Sequence, residues 1–385
     1  RSSEGEILLL QKGNVMKKSR ILAAGIGVVL ASCLFAGAAF ADGSLKIGAT
    51  GPLTGDASSY GISVNQGAQL AIDEINAAGG VNGYELEFNM IDDKAAAADA
   101  TTAFGQLMDW GMQASLGSVT SGSCEAFGAQ AAQYHVFFIT PSASAASVIA
   151  TGDTAFRVCF GDPDQGVLAA QELTSRFEKI GCIYDTSDTY SSGIYAAFDE
   201  EMKNLGVEYE TFTFDADNKK SFSAQVEALK DCQVIFCPFY YTEASLVAKE
   251  CSSSGHGDIL LFGCDGFDGL APLLDDMVTN PIEYITPFDV ASEDEFTAAF
   301  VENYTNIYGA APDQFAADGY DCVYTIKTLL EKGGVEDPSI GFAELADILV
   351  STITAEDFSY DGVTGSMKWD ASGASTKTPV IVILN

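Results

Sequence analysis

From Leu45 onward, short apolar runs alternate with helix-length amphipathic stretches, and this alternation constrains the fold more than any other feature of the chain. Strands are expected at Leu45–Thr50, Glu85–Ile91, Gln113–Gly117 and Val136–Ile139, with helices at Gly67–Ala78, Ala96–Trp110 and Glu125–Tyr134 between them. A βαβα succession of this kind requires parallel strands covered by helices on both faces, because parallel neighbours need crossovers that bury the sheet. The rhythm restarts near Asp162 to Gln165. Strands at Gly181–Tyr184, Glu208–Phe214, Val234–Cys237, Ile259–Gly263 and Pro281–Thr286 then alternate with helices at Gln165–Arg176, Gly193–Leu205, Phe222–Leu229 and Glu243–Cys251. Two α/β units of similar length imply two lobes. Helices at Glu293–Tyr308, Ala316–Lys332 and Phe342–Thr352 have no alternating strands of their own, so they must pack on a lobe already formed. Strands at Val363–Trp369 and Pro379–Leu384 complete the pattern, and the chain is expected to cross between lobes more than once.

The segment ahead of this region reads as a leader. Lys17, Lys18 and Arg20 precede an apolar run from Ile21 to Leu30, and Ala39-Phe40-Ala41 forms a small-residue cleavage site. The run is shorter than the roughly 20 residues a bilayer-spanning helix needs. Residues 1–15 lie before Met16 and read as translated upstream sequence, with 16–41 as the signal peptide. A second reading places lipidation at Cys33 within Leu30-Ala31-Ser32-Cys33. Either way the protein is expected to be exported, periplasmic or extracellular.

Composition then limits the partners. The chain of 385 residues carries a net charge of −35, and removing residues 1–41 leaves 14 basic against 52 acidic residues, a net −38. Nucleic acid is excluded as a partner, because binding it depends on Lys and Arg neutralising phosphates. Hydrophobic residues at 47% and charged residues at 19% nevertheless supply a core, so the acidity is that of a folded protein's surface. Eight cysteines, at 124, 159, 182, 232, 237, 251, 264 and 322, follow the leader without paired metal-binding spacing, and the only histidines are His135 and His256. Buried thiols, or one or two disulfides, are expected in place of a metal site.

Catalytic signatures are absent from the sequence: it has no G-x-S-x-G elbow, no phosphate loop with a GK[ST] end and no H-E-x-x-H. No enzyme activity and no cofactor are expected. Gly48, Gly51 and Gly55 fit a turn lining a cleft better than a phosphate cradle. What stands at the carboxyl ends of the strands, where open α/β sheets bind ligands, is a set of hydroxyls, tyrosines and one carboxylate. Ser118, Thr120, Ser121 and Ser123 precede a helix and suit a carboxylate, with Thr140, Ser142 and Ser144 after the next strand. Tyr190, Tyr240, Tyr241 and Asp265 hold the corresponding places in the second unit, where tyrosine faces and a carboxylate suit an ammonium group. Helix capping, core packing and turn formation account for the same residues in a protein without a ligand.

The chain from Leu45 to Leu384 resembles the solute-binding proteins of branched-chain amino acid ABC transporters, the leucine/isoleucine/valine-binding type. The resemblance rests on Ile47 to Gly55 (IGATGPLTG), Tyr60-Gly61, Ala71 to Gly83 (AIDEINAAGGVNG), Ile139 to Ser144 (ITPSAS), Asp164-Gln165-Gly166 and Asp318 to Asp321 (DGYD). It implies a two-lobed type I periplasmic-binding fold, each lobe a mostly parallel sheet flanked by helices, joined by a hinge with several crossovers. Residues 44–162 plus 288–370 would form lobe 1, and 163–287 plus 371–385 lobe 2. It further implies that Ser121, Ser142 and Ser144 hold a ligand carboxylate and that Asp265 and the Ser142 backbone hold the α-ammonium. Tyr190 and Tyr240 would close over it, and Tyr60 would line the side-chain pocket. The implied activity is capture of a small neutral α-amino acid and delivery to permease subunits by a monomer. A sensor of the same fold for an amide, urea or another small solute is the alternative. Asp265 is shorter than the Glu of the best-known members, and Thr120 replaces their Cys, which removes that disulfide.

Overall fold

The computed structural model describes residues 43–384, so residues 1–15, the leader at 16–41 and Cys33 lie outside the described residues. Five parallel strands, β1 (Ser44–Gly51), β2 (Glu85–Asp92), β3 (Ala114–Ser115), β4 (Phe138–Thr140) and β5 (Ala155–Arg157), form the first sheet in the order β2-β1-β3-β4-β5. Helices α1 (Ser58–Ala77), α2 (Ala97–Trp110), α3 (Ser121–Tyr134) and the short α4 (Ala146–Ile149) connect them. In the second sheet, β6 (Ile180–Asp185), β7 (Glu210–Phe214), β8 (Val234–Cys237), β9 (Leu260–Gly263) and β10 (Ile282–Thr286) run parallel. The strand β13 (Val380–Leu384) joins β10 antiparallel, giving the order β13-β10-β9-β8-β6-β7. Their connections are α5 (Asp162–Arg176), α6 (Thr189–Leu205), α7 (Ser223–Ala228) and α8 (Tyr241–Ser253).

The chain passes to the second sheet after β5, returns after β10 and crosses again before β13. On the return, α9 (Glu295–Tyr308), α10 (Gln314–Lys332) and α11 (Phe342–Ile353) pack on the first sheet, where Phe300, Ala317, Ile326 and Leu349 share one core with Ile47, Ile72 and Leu86. Helix α10 lies close against α1. A Cβ on Gly67 would stand 1.9 Å from the carbonyl oxygen of Ala316, so only glycine permits this approach. Three side-chain anchors fasten the crossovers: the Trp369 indole N–H donates to Arg157 O at 2.7 Å, Lys377 donates to Asp318 at 2.6 Å, and Asp321 accepts the N–H groups of Val363 and Thr364 at 3.0 Å. Lys377 and Asp318 are both buried, so each depends on the other for compensation.

Several element bounds differ from expectation, each for a local reason. Helix α1 begins at Ser58, nine residues ahead of the amphipathic stretch, and α3 begins at Ser121 in place of Glu125. Both early turns contain Gly and Ser, which propensity disfavours and packing against the cleft overrides. The three-residue β5 is too short to leave a periodic signal. The single strand expected at Val363–Trp369 is a hairpin of β11 (Tyr360–Gly362) and β12 (Gly365–Met367), turned at Gly365 with φ +101. All eight cysteines among the described residues are buried free thiols, so the disulfide option is not taken. No helix among the described residues is long and apolar enough to cross a membrane.

Candidate functional site

Each sheet has a point where strand order reverses. In the first sheet β1 is flanked by β2 and β3, and in the second β6 is flanked by β7 and β8. The loops leaving the carboxyl ends at these points diverge and leave a crevice, which is the general ligand position of open α/β sheets. The two crevices face each other. A small cavity of about 10 Å³ lies between them, lined by Tyr60, Val119, Thr120, Ser121, Ser142 and Phe315 from one side and Tyr190, Tyr240, Asp265 and Gly266 from the other. Outside it, the cleft widens to about 450 Å³ between Gly55, Asp56 and Lys94 on one rim and Asp188, Lys219 and Glu243 on the other.

The first wall presents hydroxyls and a helix start. Thr120 takes the N-cap position of α3 in extended backbone but makes no side-chain cap, and its buried Oγ1 has no partner among the described residues. The N–H groups of the first turn of α3 are therefore left for another acceptor, with the helix dipole favouring an anion there. Ser121 Oγ accepts the Ala145 N–H at 3.2 Å, so its own proton remains available for donation. Ser142 Oγ instead donates to Val119 O at 2.7 Å, which leaves its lone pairs as acceptors. Ser118 and Thr140 are structural: Ser118 donates to Asp93, and Thr140 donates to Ser118 O at 2.7 Å.

The second wall presents a carboxylate and aromatic rings. Asp265 follows β9 at the start of a single 3-10 turn and is buried. Tyr190 Oη donates to its Oδ1 at 2.6 Å and accepts the Gly266 N–H at 2.9 Å, which fixes the carboxylate against the ring. The Asp265 N–H donates to Gln165 Oε1 at 3.0 Å, and Gln314 Nε2 donates to Asp265 O at 2.7 Å. No cation pairs with this carboxylate among the described residues. Burial pushes its pKa up to about 6, against the Tyr190 hydroxyl that holds it down. Asp162 lies nearby at the start of α5, buried, with neither carboxylate oxygen hydrogen-bonded among the described residues. Burial lifts its pKa well above the ordinary carboxylate value, the negative charge of Asp265 adding to the rise while Ser144 and Arg157 oppose it.

Rings close the remaining sides. Tyr190 and Tyr240 stack with centroids 5.0 Å apart, Tyr60 stacks on Phe315 at 4.1 Å, and Tyr60 meets Tyr240 edge-on at 5.6 Å. Tyr60 also bridges the walls, because its hydroxyl donates to Gly266 O and accepts the Tyr241 N–H at 3.2 Å.

Six of the seven residues expected from sequence line this one cavity: Tyr60, Ser121, Ser142, Tyr190, Tyr240 and Asp265. Ser144 does not line it. Its carbonyl accepts Arg157 Nη1 at 2.6 Å and its hydroxyl has no partner among the described residues, so it sits beside the first crossover. Val119, Phe315, Gln165 and Gln314 were not anticipated. The signal for Phe315 was Asp313, which caps α10 by accepting the Ala316 N–H at 2.9 Å and so places Phe315 in the first turn.

This geometry agrees with the comparisons. A family model described as periplasmic binding protein matches residues 44–383. The chain belongs to the periplasmic binding protein family. A Leu/Ile/Val-binding protein homologue of Brucella melitensis is 26% identical over 322 residues, covering 80% of this chain and 84% of the relative. A leucine-, isoleucine-, valine-, threonine- and alanine-binding protein of Pseudomonas aeruginosa is 25% identical and covers 94% of each chain. Among solved structures, a branched-chain amino acid transporter substrate-binding protein of Streptococcus pneumoniae in complex with isoleucine is 29% identical. It superposes with a TM-score of 0.79, covering 89% of this chain and 97% of that one. The two-lobed type I fold expected from sequence is thus the fold of this family member.

Proposed function

We propose that this protein is the extracytoplasmic solute-binding component of an ABC importer, capturing a small neutral α-amino acid in the cleft and presenting it to permease subunits. One observation carries the reading: a buried carboxylate without a cation among the described residues, Asp265, opposes a helix start whose N–H groups, Thr120 hydroxyl and Ser121 hydroxyl proton are unclaimed. That pair of walls complements a zwitterion. The ligand ammonium would supply the cation that Asp265 lacks, and its carboxylate would take the donors of α3. Ser142, with its proton committed to Val119, would accept from the ammonium. Branched-chain ligands fit the wall of Val119, Tyr60 and Phe315, and the names of the relatives support that class.

The space of about 10 Å³ between these buried residues holds about one water, far less than an amino acid, so a ligand seated there would part the two lobes on entry. The lobes proposed are residues 44–162 plus 288–370 and residues 163–287 plus 371–385, rotating about the crossovers. The protein would act outside the cytoplasm as a monomer, without catalysis. So negative a chain repels anions, which makes a dicarboxylic amino acid the poorest ligand.

A thermal-shift screen over amino acids, short amides and urea tests this. A cognate ligand at 100 times its Kd should stabilise the protein by about 2.7 kcal/mol. Stabilisation by urea or an amide and by no α-amino acid would overturn the proposal in favour of a sensor of the same fold.

A further inference from the structure

The rim of the cleft carries a contact between the walls that involves none of the residues lining the small inner cavity. Lys219, in the loop after β7, lies 3.3 Å from Asp56 Oδ2 on the opposite rim and 3.0 Å from Glu243 Oε1 on its own. Thr242 Oγ1 donates to the Asp56 carbonyl at 2.7 Å, and the Ser59 N–H reaches the Tyr241 hydroxyl at 3.4 Å. Glu243 is buried and Lys219 is its cation, so the lysine is held in place from its own side. Asp56 is exposed, and its carboxylate meets this preset charge only when the rims are together.

Position gives the contact leverage. Two of the three crossovers join the second sheet at β10 and β13, the edge opposite β7, and the first passes through α5, whose Gln165 accepts the Asp265 N–H beside β9, before reaching β6. Strand β7 lies three places beyond β9 in that sheet, about 14 Å at the usual strand spacing. A rotation about the crossovers therefore separates the β7 rim more than it separates residues near Asp265.

We propose that Asp56 and Lys219 form a latch across the mouth of the cleft, which holds the lobes closed and sets how fast a ligand leaves without contacting it. This rests on the reading that the cleft encloses a ligand. The attraction acts on the closed form with or without ligand, so it slows opening and with it dissociation. Partial exposure keeps its size near that of other surface pairs and makes it sensitive to salt.

Asp56→Asn removes the carboxylate charge, leaves the Lys219–Glu243 pair intact and keeps the carbonyl that Thr242 uses. With L-leucine as probe, stopped-flow fluorescence should show dissociation about two- to five-fold faster in this variant. Raising salt from about 0.05 to about 0.5 M should speed dissociation from the wild type and have little effect on Asp56→Asn. In a Lys219→Met background, Asp56→Asn should add nothing. Small-angle scattering without ligand reads the latch independently: Asp56→Asn should be more open than the wild type. An unchanged dissociation rate, or an Asp56→Asn effect that persists in Lys219→Met, would overturn the proposal. If the wild type binds no amino acid, the transport reading fails, and the scattering comparison alone decides the latch, equal dimensions overturning it.

Discussion

The two walls of the cleft are built from the same kind of element, a strand end followed by a helix, yet they carry opposite chemistries. The first uses uncharged donors, Thr120, Ser121 and the start of α3. The second uses one ionisable acid, Asp265, fixed by Tyr190 and surrounded by rings. The difference lies in what each wall asks of its surroundings. Serine, threonine and N–H groups can be buried unclaimed at modest cost, whereas a buried carboxylate without a cation is held at a penalty visible in its pKa of about 6.

Removing the charged wall should give the largest effect. Asp265→Ala should weaken amino-acid binding by about 3–5 kcal/mol, because the ligand ammonium is then buried without a counter-charge. Isothermal calorimetry on a folded variant checks this, and wild-type affinity would refute the assignment of Asp265. The same position should respond in the opposite sense when stability is measured without ligand. The folded protein holds the Asp265 proton more tightly than the unfolded chain, since burial lifts the pKa from 3.8 to about 6. The penalty is therefore absent below about pH 4, grows as pH rises to about 6 and is complete above it. At about 1.4 kcal/mol per pKa unit it amounts to about 3 kcal/mol. Ligand-free Asp265→Asn should accordingly be more stable than the wild type at about pH 7, by up to that amount, and the gain should vanish near pH 4 in denaturant titrations.

Acid should act through the same wall. Below about pH 6 Asp265 takes up a proton in the ligand-free protein, and an ammonium ligand must displace it. Affinity should then fall about tenfold for each further pH unit, or about 2.7 kcal/mol at pH 4. Titration calorimetry in buffers of different ionisation enthalpy should show proton release on binding at about pH 5 and none at about pH 8.

How much of this could be seen in the sequence follows from what periodicity encodes. It marks strands and their ends, so Tyr190, Tyr240 and Asp265 were visible as polar residues just past β6, β8 and β9. It does not encode the direction of a side chain within a loop. Ser144 belongs to the same segment as Ser142, yet it stands by Arg157 outside the cavity lining. Nor does it encode which remote element returns to the cleft. Phe315 reaches Tyr60 only because the chain crosses back after β10 and the glycine contact of α10 with α1 sets that helix close. Gln165 and Gln314 were hidden for the same reason: both act on the backbone of Asp265 from elements more than 40 residues away in sequence.

The uncharged wall gives the smallest effect and the sharpest contrast. In Ser121→Ala the ligand carboxylate loses one hydroxyl donor but keeps Thr120 and the N–H groups of α3, so binding should weaken by about 0.5–1.5 kcal/mol. The variant also leaves the Ala145 N–H without the acceptor it has at 3.2 Å, so thermal melts should register a separate loss of stability. The two effects are separable by pH. Neither the serine nor the helix N–H groups titrate, so the affinity deficit of Ser121→Ala should stay constant from about pH 5 to about pH 8 while the wild type and the variant lose affinity in parallel below about pH 6. A deficit that instead disappears in acid would mean that Ser121 acts through the Asp265 charge, and the division of the cleft into an anion wall and a cation wall would have to be abandoned.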